Sequence, residues 1–453
     1  MNTPRMSTPI ADFVRHYADS NMSRLHMPGH KGRAFLGCEA YDITEIAGAD
    51  SLYEADGIIA QSEANAAQLF GSRRTLYSTE GSSQCIRAML YLLIAHSPKP
   101  RPLVLAGRNA HKAFLYAAAL LDFDVRWLYP TGDSASICAC AVSPDELARE
   151  LNALDAPPAA VYITSPDYLG NQCDIAALAA VCHSHGVPLA VDNAHGAYLR
   201  FLSPSQHPLD LGADTCCDSA HKTLPVLTGG AYLHIAHGAP EGLEACARQA
   251  MALFGSTSPS YLTLASLDLG NAYLADGYAQ RLSETVCRID ALRDALRQNG
   301  WTVSNTDPLK LTVDAAASGM TGAQVAQRLR AGGVECEYAD GDDVVLMFTP
   351  ESEPRDYERV AGALGVNDRP LRVRMPLPML RAEGTMRIRD ALFSPQETVP
   401  AHEALGRVCG APTVSCPPAI PIAVSGERIG REAIELFERY GVEQIAVVRE
   451  QRV

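Results

Sequence analysis

The sequence predicts an α/β protein with a mostly parallel main sheet, followed by a small α+β domain. From about Ala64 to Ile235, short apolar runs alternate with helix-period stretches. This alternation is typical of parallel sheets that carry helices on both faces. A long helical pattern then separates this region from a segment with the order strand-helix-strand-strand-helix. The chain of 453 residues is long enough for about three domains.

The strands predicted for the main sheet are short and apolar. They are Leu103–Leu105, Val125–Leu128, Ala159–Thr164, Pro188–Asp192 and Gly230–Ile235. The helices predicted between them are Ala113–Leu121, Pro144–Leu154 and Ile175–His183. Ser143 and Glu146 have the spacing of a capping box at the start of the second helix. Ligands of such sheets bind beyond the carboxyl ends of the strands, so the motifs that follow the strands are the candidates for a site.

The rest of the chain predicts two smaller domains. The helix Arg281–Gln298 leads into the predicted elements Leu309–Val313, Gly322–Ala331, Val334–Tyr338, Val344–Phe348 and Arg355–Leu364. A proline-rich segment follows, and the chain closes with the predicted helix Ile429–Tyr440 and strand Gln444–Val448. We therefore predict an N-terminal arm (1–60), a large domain (61–280), a small α+β domain (281–374) and a C-terminal domain (375–453).

Composition limits the function classes. With 38 Lys+Arg against 52 Asp+Glu, the formal charge is −14, which disfavours nucleic acid and anionic membranes as partners. No segment has the pattern of a signal peptide or of a transmembrane helix. The 13 cysteines lack the spacing of zinc or thioredoxin motifs, so we expect reduced thiols, no metal site and a cytoplasmic protein.

Only five residues are lysines, and Lys222 has the most suggestive surroundings. It lies in a predicted loop after an apolar strand, between Ser219-Ala-His221 and Thr223, with two glycines further on. A partly desolvated lysine is a nucleophile toward an aldehyde. An ordinary surface lysine is an equally good interpretation of this loop alone.

Asp192 stands at the end of a predicted strand, and His195 follows it in the sequence Asp-Asn-Ala-His-Gly. Pyridoxal phosphate (PLP) needs an anion against its pyridine nitrogen, and Asp192 fits that role. A turn-capping aspartate is the alternative. His195 either contacts the phenolic oxygen of the cofactor or forms a hydrogen bond within the loop.

Two further motifs follow strands. Gly81, Ser82 and Ser83 combine a glycine turn, two hydroxyls and a helix start, which suits a phosphate, although a plain helix cap has the same pattern. His111 opens another helix and could stack on a pyridine ring or simply occupy the first helical turn. Its neighbour Lys112 is the main rival of Lys222.

Together these motifs resemble the Orn/Lys/Arg decarboxylase family, in the short bacterial form without the N-terminal receiver-like domain. The resemblance covers nearly the whole chain and rests on motifs in the family's order. They include Pro28-Gly-His-Lys-Gly32, Thr164-Ser-Pro-Asp-Tyr-Leu-Gly170, Asp192-Asn-Ala-His-Gly196, Ser219-Ala-His-Lys222, Ser256-Thr-Ser-Pro-Ser-Tyr261 and Cys416-Pro-Pro-Ala-Ile-Pro421.

The resemblance implies a fold-type I PLP enzyme with an aspartate aminotransferase-like large domain. It implies that Lys222 is the Schiff-base lysine, Asp192 the pyridinium partner and His111 the ring-stacking residue. The implied phosphate contacts are Ser82, Ser83, Ser219 and His221, next to Gly81, while Ser258 or Ser260 would reach the phosphate of a neighbouring subunit. A site shared in this way implies a homodimer or a higher homo-oligomer.

The implied reaction is α-decarboxylation of a basic amino acid, with arginine or lysine first and ornithine next. His221 or Lys222 would protonate Cα. Another PLP reaction (transamination, elimination or cyclisation) and a catalytically silent homologue are the alternatives. The chain departs from the family pattern at Asn193, Tyr198, Cys416 and Ala419, where the family usually has Glu, His, Tyr and Gly. These departures leave the substrate side chain open.

Overall fold

The computed structural model describes residues 6–95, 97, 99–130, 136–139, 141–374, 377, 380–414 and 420–450. They form two compact units that interleave along the chain. The first unit contains residues 1–97 and 175–282, and the second contains residues 98–174 and 283–453. Among the described helices, none is both long and apolar enough to cross a lipid bilayer.

The helices are α1 Pro9–Asp19, α2 Ile58–Phe70, α3 Ser82–Ala95, α4 Lys112–Leu121, α5 Pro144–Asn152, α6 Ile175–Ser184, α7 Ala220–Thr223, α8 Leu243–Phe254, α9 Tyr261–Ala275, α10 Tyr278–Gln298, α11 Gly322–Ala331, α12 Pro354–Leu364, α13 Ile388–Phe393 and α14 Arg431–Arg439. The strands are β1 Arg74–Ser78, β2 Leu103–Gly107, β3 Asp124–Leu128, β4 Ala160–Thr164, β5 Leu189–Asp192, β6 Thr215–Asp218, β7 Ala231–Ile235, β8 Lys310–Asp314, β9 Tyr338–Ala339, β10 Asp343–Met347, β11 Gln396–Pro400, β12 Thr413–Val414, β13 Pro421–Ala423 and β14 Gln444–Val448.

In the first unit the strand order is β1-β7-β6-β5. Strands β5 and β6 are parallel, with Asp192 opposite Cys217, whereas β7 is antiparallel to both β6 and β1. The parallel register brings the carboxyl ends of β5 and β6 to the same edge. Helix α3 packs on β6, β7 and α8, and its apolar side chains are buried along most of its length. The polar residues that follow β5 and β6 are therefore held above a rigid core.

In the second unit the strands β4-β2-β3 are parallel. A separate antiparallel sheet has the order β8-β10-β9, and α11 packs against β10 and α12. Further along the chain, β11 pairs with β14 and β12 pairs with β13. The element order from β8 to α12 is the strand-helix-strand-strand-helix order that the sequence predicts.

The predicted class, a mostly parallel α/β sheet with helices, is confirmed. Two local predictions are wrong. The strand predicted over Val334–Tyr338 is reduced to β9, because pairing with β10 extends only over Tyr338 and Ala339. Lys222 lies in the one-turn helix α7 rather than in a loop, because the N–H of Lys222 donates to Ser219 O and that of Leu224 donates to Ala220 O. Residues 415–419, which include Cys416 and Ala419, lie outside the described residues.

Candidate active site

Lys222 lies beside His195 in the first unit. The side-chain Nζ of Lys222 is 3.0 Å from His195 Nε2, although the two residues are 27 positions apart in the sequence. Helix α7 presents the lysine directly after β6, and the turn after β5 presents the histidine. Lys222 is only partly exposed and His195 is buried. An amine in this position is shielded from bulk water, as a nucleophilic lysine requires.

Asp192 ends β5 and is 2% exposed. Its Oδ1 accepts from the backbone N–H of Ala194 at 3.3 Å and from the Cys217 thiol at 3.7 Å. Both donors hold the carboxylate in one orientation. The residue thus supplies a buried carboxylate at the same sheet edge as Lys222.

Ser82 and Ser219 form the candidate phosphate site. The Ser219 hydroxyl donates to Ser82 Oγ at 2.8 Å, although the two residues are 137 positions apart. Ser219 directly precedes α7. Ser82 begins α3, and Gly81 before it has a positive φ of 71°, a conformation that glycine adopts without strain. The 14-residue helix α3 directs the positive end of its dipole to these hydroxyls, so the arrangement can bind a phosphate.

His221 adjoins this cluster. Its Nδ1 is 2.9 Å from the carbonyl oxygen of Gly230, so Nδ1 carries the proton and donates. A Cβ on Gly81 would lie 4.0 Å from His221 Cε1, which places the ring next to the glycine turn. Burial lowers the pKa of His221, and the charge of Lys222 lowers it further, while the Gly230 carbonyl opposes both effects. The ring is accordingly neutral near pH 7.

The remaining predicted residues lie at or near the starts of helices α3, α4 and α9. His111 belongs to the second unit, where it caps α4 and its Nδ1 accepts from Ala113 N at 3.2 Å. Ser83 is half-buried in the first turn of α3. Ser258 is exposed, and Ser260 caps α9 by accepting from Thr263 N at 3.3 Å. Lys112, the rival lysine, opens α4 as the sequence predicts.

A family model and a relative of known sequence identify the family. The family model for the major domain of Orn/Lys/Arg decarboxylases matches residues 8–315. The protein YaaO of Bacillus subtilis is 30% identical over 96% of this chain and 94% of its own length. The chain belongs to the Orn/Lys/Arg decarboxylase family. The arginine decarboxylase of Bacillus subtilis is 29% identical to this decarboxylase, over 94% of this chain and 92% of its own.

Solved structures show the same fold for the decarboxylase. The lysine decarboxylase LdcF of Francisella novicida matches with a TM-score of 0.79 over 98% of this chain and 81% of its own, at 17% identity. The constitutive lysine decarboxylase of E. coli matches with a TM-score of 0.77, also at 17% identity. The fold-type I class is therefore confirmed, and the decarboxylase is a PLP-dependent amino-acid decarboxylase.

The first unit of the decarboxylase contains the chemical groups that PLP binding requires. Lys222 supplies the amine, Asp192 a buried carboxylate, and the start of α3 two hydroxyls at a positive helix end.

The decarboxylase also contains a buried polar residue that was not predicted from the sequence. Asp218, at the end of β6, is fully buried and contacts the turn that carries His195. Its signal in the sequence is a carboxylate that ends an otherwise apolar strand four positions before Lys222.

Proposed function

We propose that this enzyme decarboxylates arginine or lysine to the corresponding amine and CO2, with ornithine as the next candidate. The observation that carries the proposal is the contact of Lys222 with His195 at the sheet edge where Asp192 also ends its strand. Relatives named arginine decarboxylase match over more than nine-tenths of the chain, whereas the lysine decarboxylase LdcA of Pseudomonas aeruginosa matches over 63% of it. This difference favours arginine.

Bound PLP would supply an electron-withdrawing ring that accepts the electron pair left at Cα when CO2 departs. Lys222 would hold the cofactor through its ε-amine, and Asp192 would keep the proton on the pyridine nitrogen. Ser82, Ser83 and Ser219 would donate to the phosphate beside Gly81, with His221 at their side. We also propose that His111 stacks on the pyridine ring.

Lys222 is the group that we assign to protonate Cα. His221 and Lys222 are the two candidates, and a proton donor must carry its proton near neutral pH. The pKa of His221 is lowered by burial, and its Nδ1 proton is engaged by the Gly230 carbonyl. His221 would instead orient the turn around Gly81. Lys222 Nζ, which lies beside His195, remains the better donor.

We also propose a homodimer, or a higher homo-oligomer, in which Ser258 or Ser260 reaches the phosphate of the neighbouring subunit. Large apolar side chains of the N-terminal segment support an interface, because they are strongly exposed in the single chain. They are Met22, Leu25, Met27, Phe35 and Leu36. Exposed apolar patches of this kind are typical of surfaces that contact another chain.

The domain boundaries at residues 60, 280 and 374 and a cytoplasmic location remain proposals. Most of the described cysteines, among them Cys85, Cys182 and Cys216, are free thiols, which supports a reducing compartment.

A substrate panel and a lysine pair test the proposed function. Incubation with arginine, lysine, ornithine and acidic and aromatic amino acids should release CO2 and amine from the basic ones, with arginine the fastest. A keto acid without CO2 would indicate a transaminase instead. Lys222→Ala should lose the visible absorption band of the covalently bound cofactor, whereas the matched control Lys112→Ala should keep it. An unchanged band in Lys222→Ala would contradict the assignment of the lysine.

A further inference from the structure

Asp218 is a fully buried carboxylate that touches three side chains. Its Oδ2 lies 3.0 Å from His207 Nε2 and 3.3 Å from His234 Nε2. Its Oδ1 accepts from Asn193 Nδ2 at 2.7 Å. All four residues have 0% exposed surface. A buried carboxylate with this many donors is held in one orientation, since breaking any of the contacts would leave a polar group unsatisfied in the core.

The hydrogen-bond pattern makes both histidines donors to Asp218. His207 Nδ1 accepts from the backbone N–H of Leu209 at 3.4 Å, so the proton of that ring is on Nε2. His234 Nδ1 lies 2.8 Å from the hydroxyl of Thr75, which leaves its Nε2 to donate to Asp218. Burial by itself would raise the pKa of Asp218, but the two histidines outweigh burial and hold it well below the ordinary value. Asp218 is therefore an anion in the folded protein.

Asn193 connects the buried Asp218 to the turn after β5 through hydrogen bonds. Its side-chain amide donates to Asp218, its backbone N–H donates to Cys217 O at 3.0 Å, and its carbonyl accepts from Gly196 N at 2.8 Å. The amide requires a glycine at position 196, because a Cβ there would lie 2.0 Å from Asn193 Oδ1. The same turn begins directly after Asp192 and carries His195, which contacts Lys222.

We propose that Asp218 and Asn193 are positioning residues that fix the turn carrying Asp192 and His195 against Lys222. This inference rests on the proposed function, because the position of the turn affects catalysis only if Asp192 and His195 hold PLP. It also accounts for the amide at position 193 of this chain. A glutamate at position 193 would place a second carboxylate against the buried Asp218 anion, whereas the amide of Asn193 donates to it.

Comparing Asn193→Ala with a matched control variant distinguishes a positioning role from a general loss of stability. Asn271 is also a fully buried asparagine of the first unit, and its Nδ2 donates to Ser62 O and Tyr77 OH, away from the turn. Both alanine variants should lower the melting temperature of the apoprotein. Only Asn193→Ala should also weaken PLP binding, by about tenfold, as followed by absorbance titration of the apoprotein with PLP, because only it releases the turn. Equal PLP affinity in Asn193→Ala and wild type, or equal losses in both variants, would overturn the inference.

A charge exchange tests the pair directly. Asn193→Asp places two carboxylates in contact and should bind PLP more weakly than wild type. Adding Asp218→Asn restores one amide and one carboxylate, so the double variant should recover part of the affinity that Asn193→Asp loses. A double variant that binds no better than Asn193→Asp would contradict the coupling. If wild-type protein itself fails to bind PLP through Lys222, the proposed function fails, and that result is distinct from a failure of the pair.

Metal removal provides a last check. The sulfur of Cys216 is 3.9 Å from His207 Nε2, and His207, Cys216 and Asp218 are grouped closely enough to hold a metal ion. The hydrogen bonds above account for the contacts of Asp218 without one. Treatment with EDTA should therefore leave the melting temperature and PLP affinity unchanged. A fall in either would show that the network is organised by a metal and would overturn the hydrogen-bonded arrangement.

Discussion

Asp192 is a buried carboxylate whose orientation is fixed by two hydrogen-bond donors. It is buried at the end of β5, where Ala194 N–H and the Cys217 thiol both donate to Oδ1. A buried carboxylate is costly unless donors or a positive partner compensate for lost water. These two donors hold the carboxylate in place at the end of β5. The position therefore matches the role that the sequence suggests, and the role itself stays a prediction.

Substitution of Asp192 tests that role. Asp192→Ala should still attach PLP through Lys222 but lose turnover by about a hundredfold or more, because nothing would keep the pyridine nitrogen protonated. The cofactor content is measured by absorbance and turnover by release of CO2. Wild-type turnover in a variant with full cofactor content would reject the assigned role.

At the scale of elements, Asp268 in α9 anchors the N-terminal helix α1. Its Oδ2 accepts from the N–H groups of Ile10 and Ala11, each at 3.0 Å, and its Oδ1 accepts from the Ser62 hydroxyl at 2.5 Å. Burial raises the pKa of Asp268 from its ordinary value of 3.8 to about 6, although these donors act in the opposite direction. The carboxyl group that fixes α1 therefore still binds a proton at mildly acidic pH.

This raised pKa predicts a pH-dependent stability. Between about pH 4 and 6 the folded protein keeps the Asp268 proton that the unfolded chain has released, so the contribution of Asp268 to the free energy of unfolding falls as pH rises and is constant above that range. Relative to Asp268→Asn, the wild type should lose up to about 3 kcal/mol across this window.

Denaturant unfolding of both proteins at several pH values measures the difference, in which the other carboxyl groups cancel. A difference that does not change with pH would contradict the shifted pKa of Asp268.

At the scale of the whole molecule, the formal charge of −14 is compatible with cationic substrates but does not select among them. The strongly exposed apolar side chains between Met22 and Leu36 are the feature that a single chain leaves unexplained. They support the proposed homo-oligomer, in which a second copy would cover this surface. The assembly in turn determines whether each catalytic site is built from one chain or two.

Mixed subunits test a shared site. Lys222→Ala lacks the cofactor link, and the double variant Ser258→Ala/Ser260→Ala lacks the hydroxyls that would reach the neighbouring phosphate. If sites are shared in a dimer, a refolded one-to-one mixture should regain about a quarter of wild-type activity, because half of the dimers would contain one intact site. Light scattering establishes the oligomer size. A mixture no more active than its components would place each site within one chain.

The order of most strands and helices from β2 onward could be predicted from the sequence, because apolar periodicity is a local property. The sequence also determined which residue types follow the strands: Gly81 and Ser82 at the start of α3, and Asp192 at the end of β5. It did not predict α1, α2, α8 or α9. These helices pack against parts of the chain that are distant in sequence, since α1 and α2 contact α9 and α8 contacts α3.

The partners of the buried polar groups could not be predicted from the sequence, because they depend on the tertiary fold. Asp218 meets Asn193, His207 and His234 across separations of 25, 11 and 16 residues, and no local pattern specifies such pairs. The one-turn helix around Lys222 and the contact of Lys222 with His195 also depend on how β5 and β6 lie side by side. The physical reason is that strand and helix signals are short-range, whereas a buried charge is satisfied by whichever donors the fold brings to it.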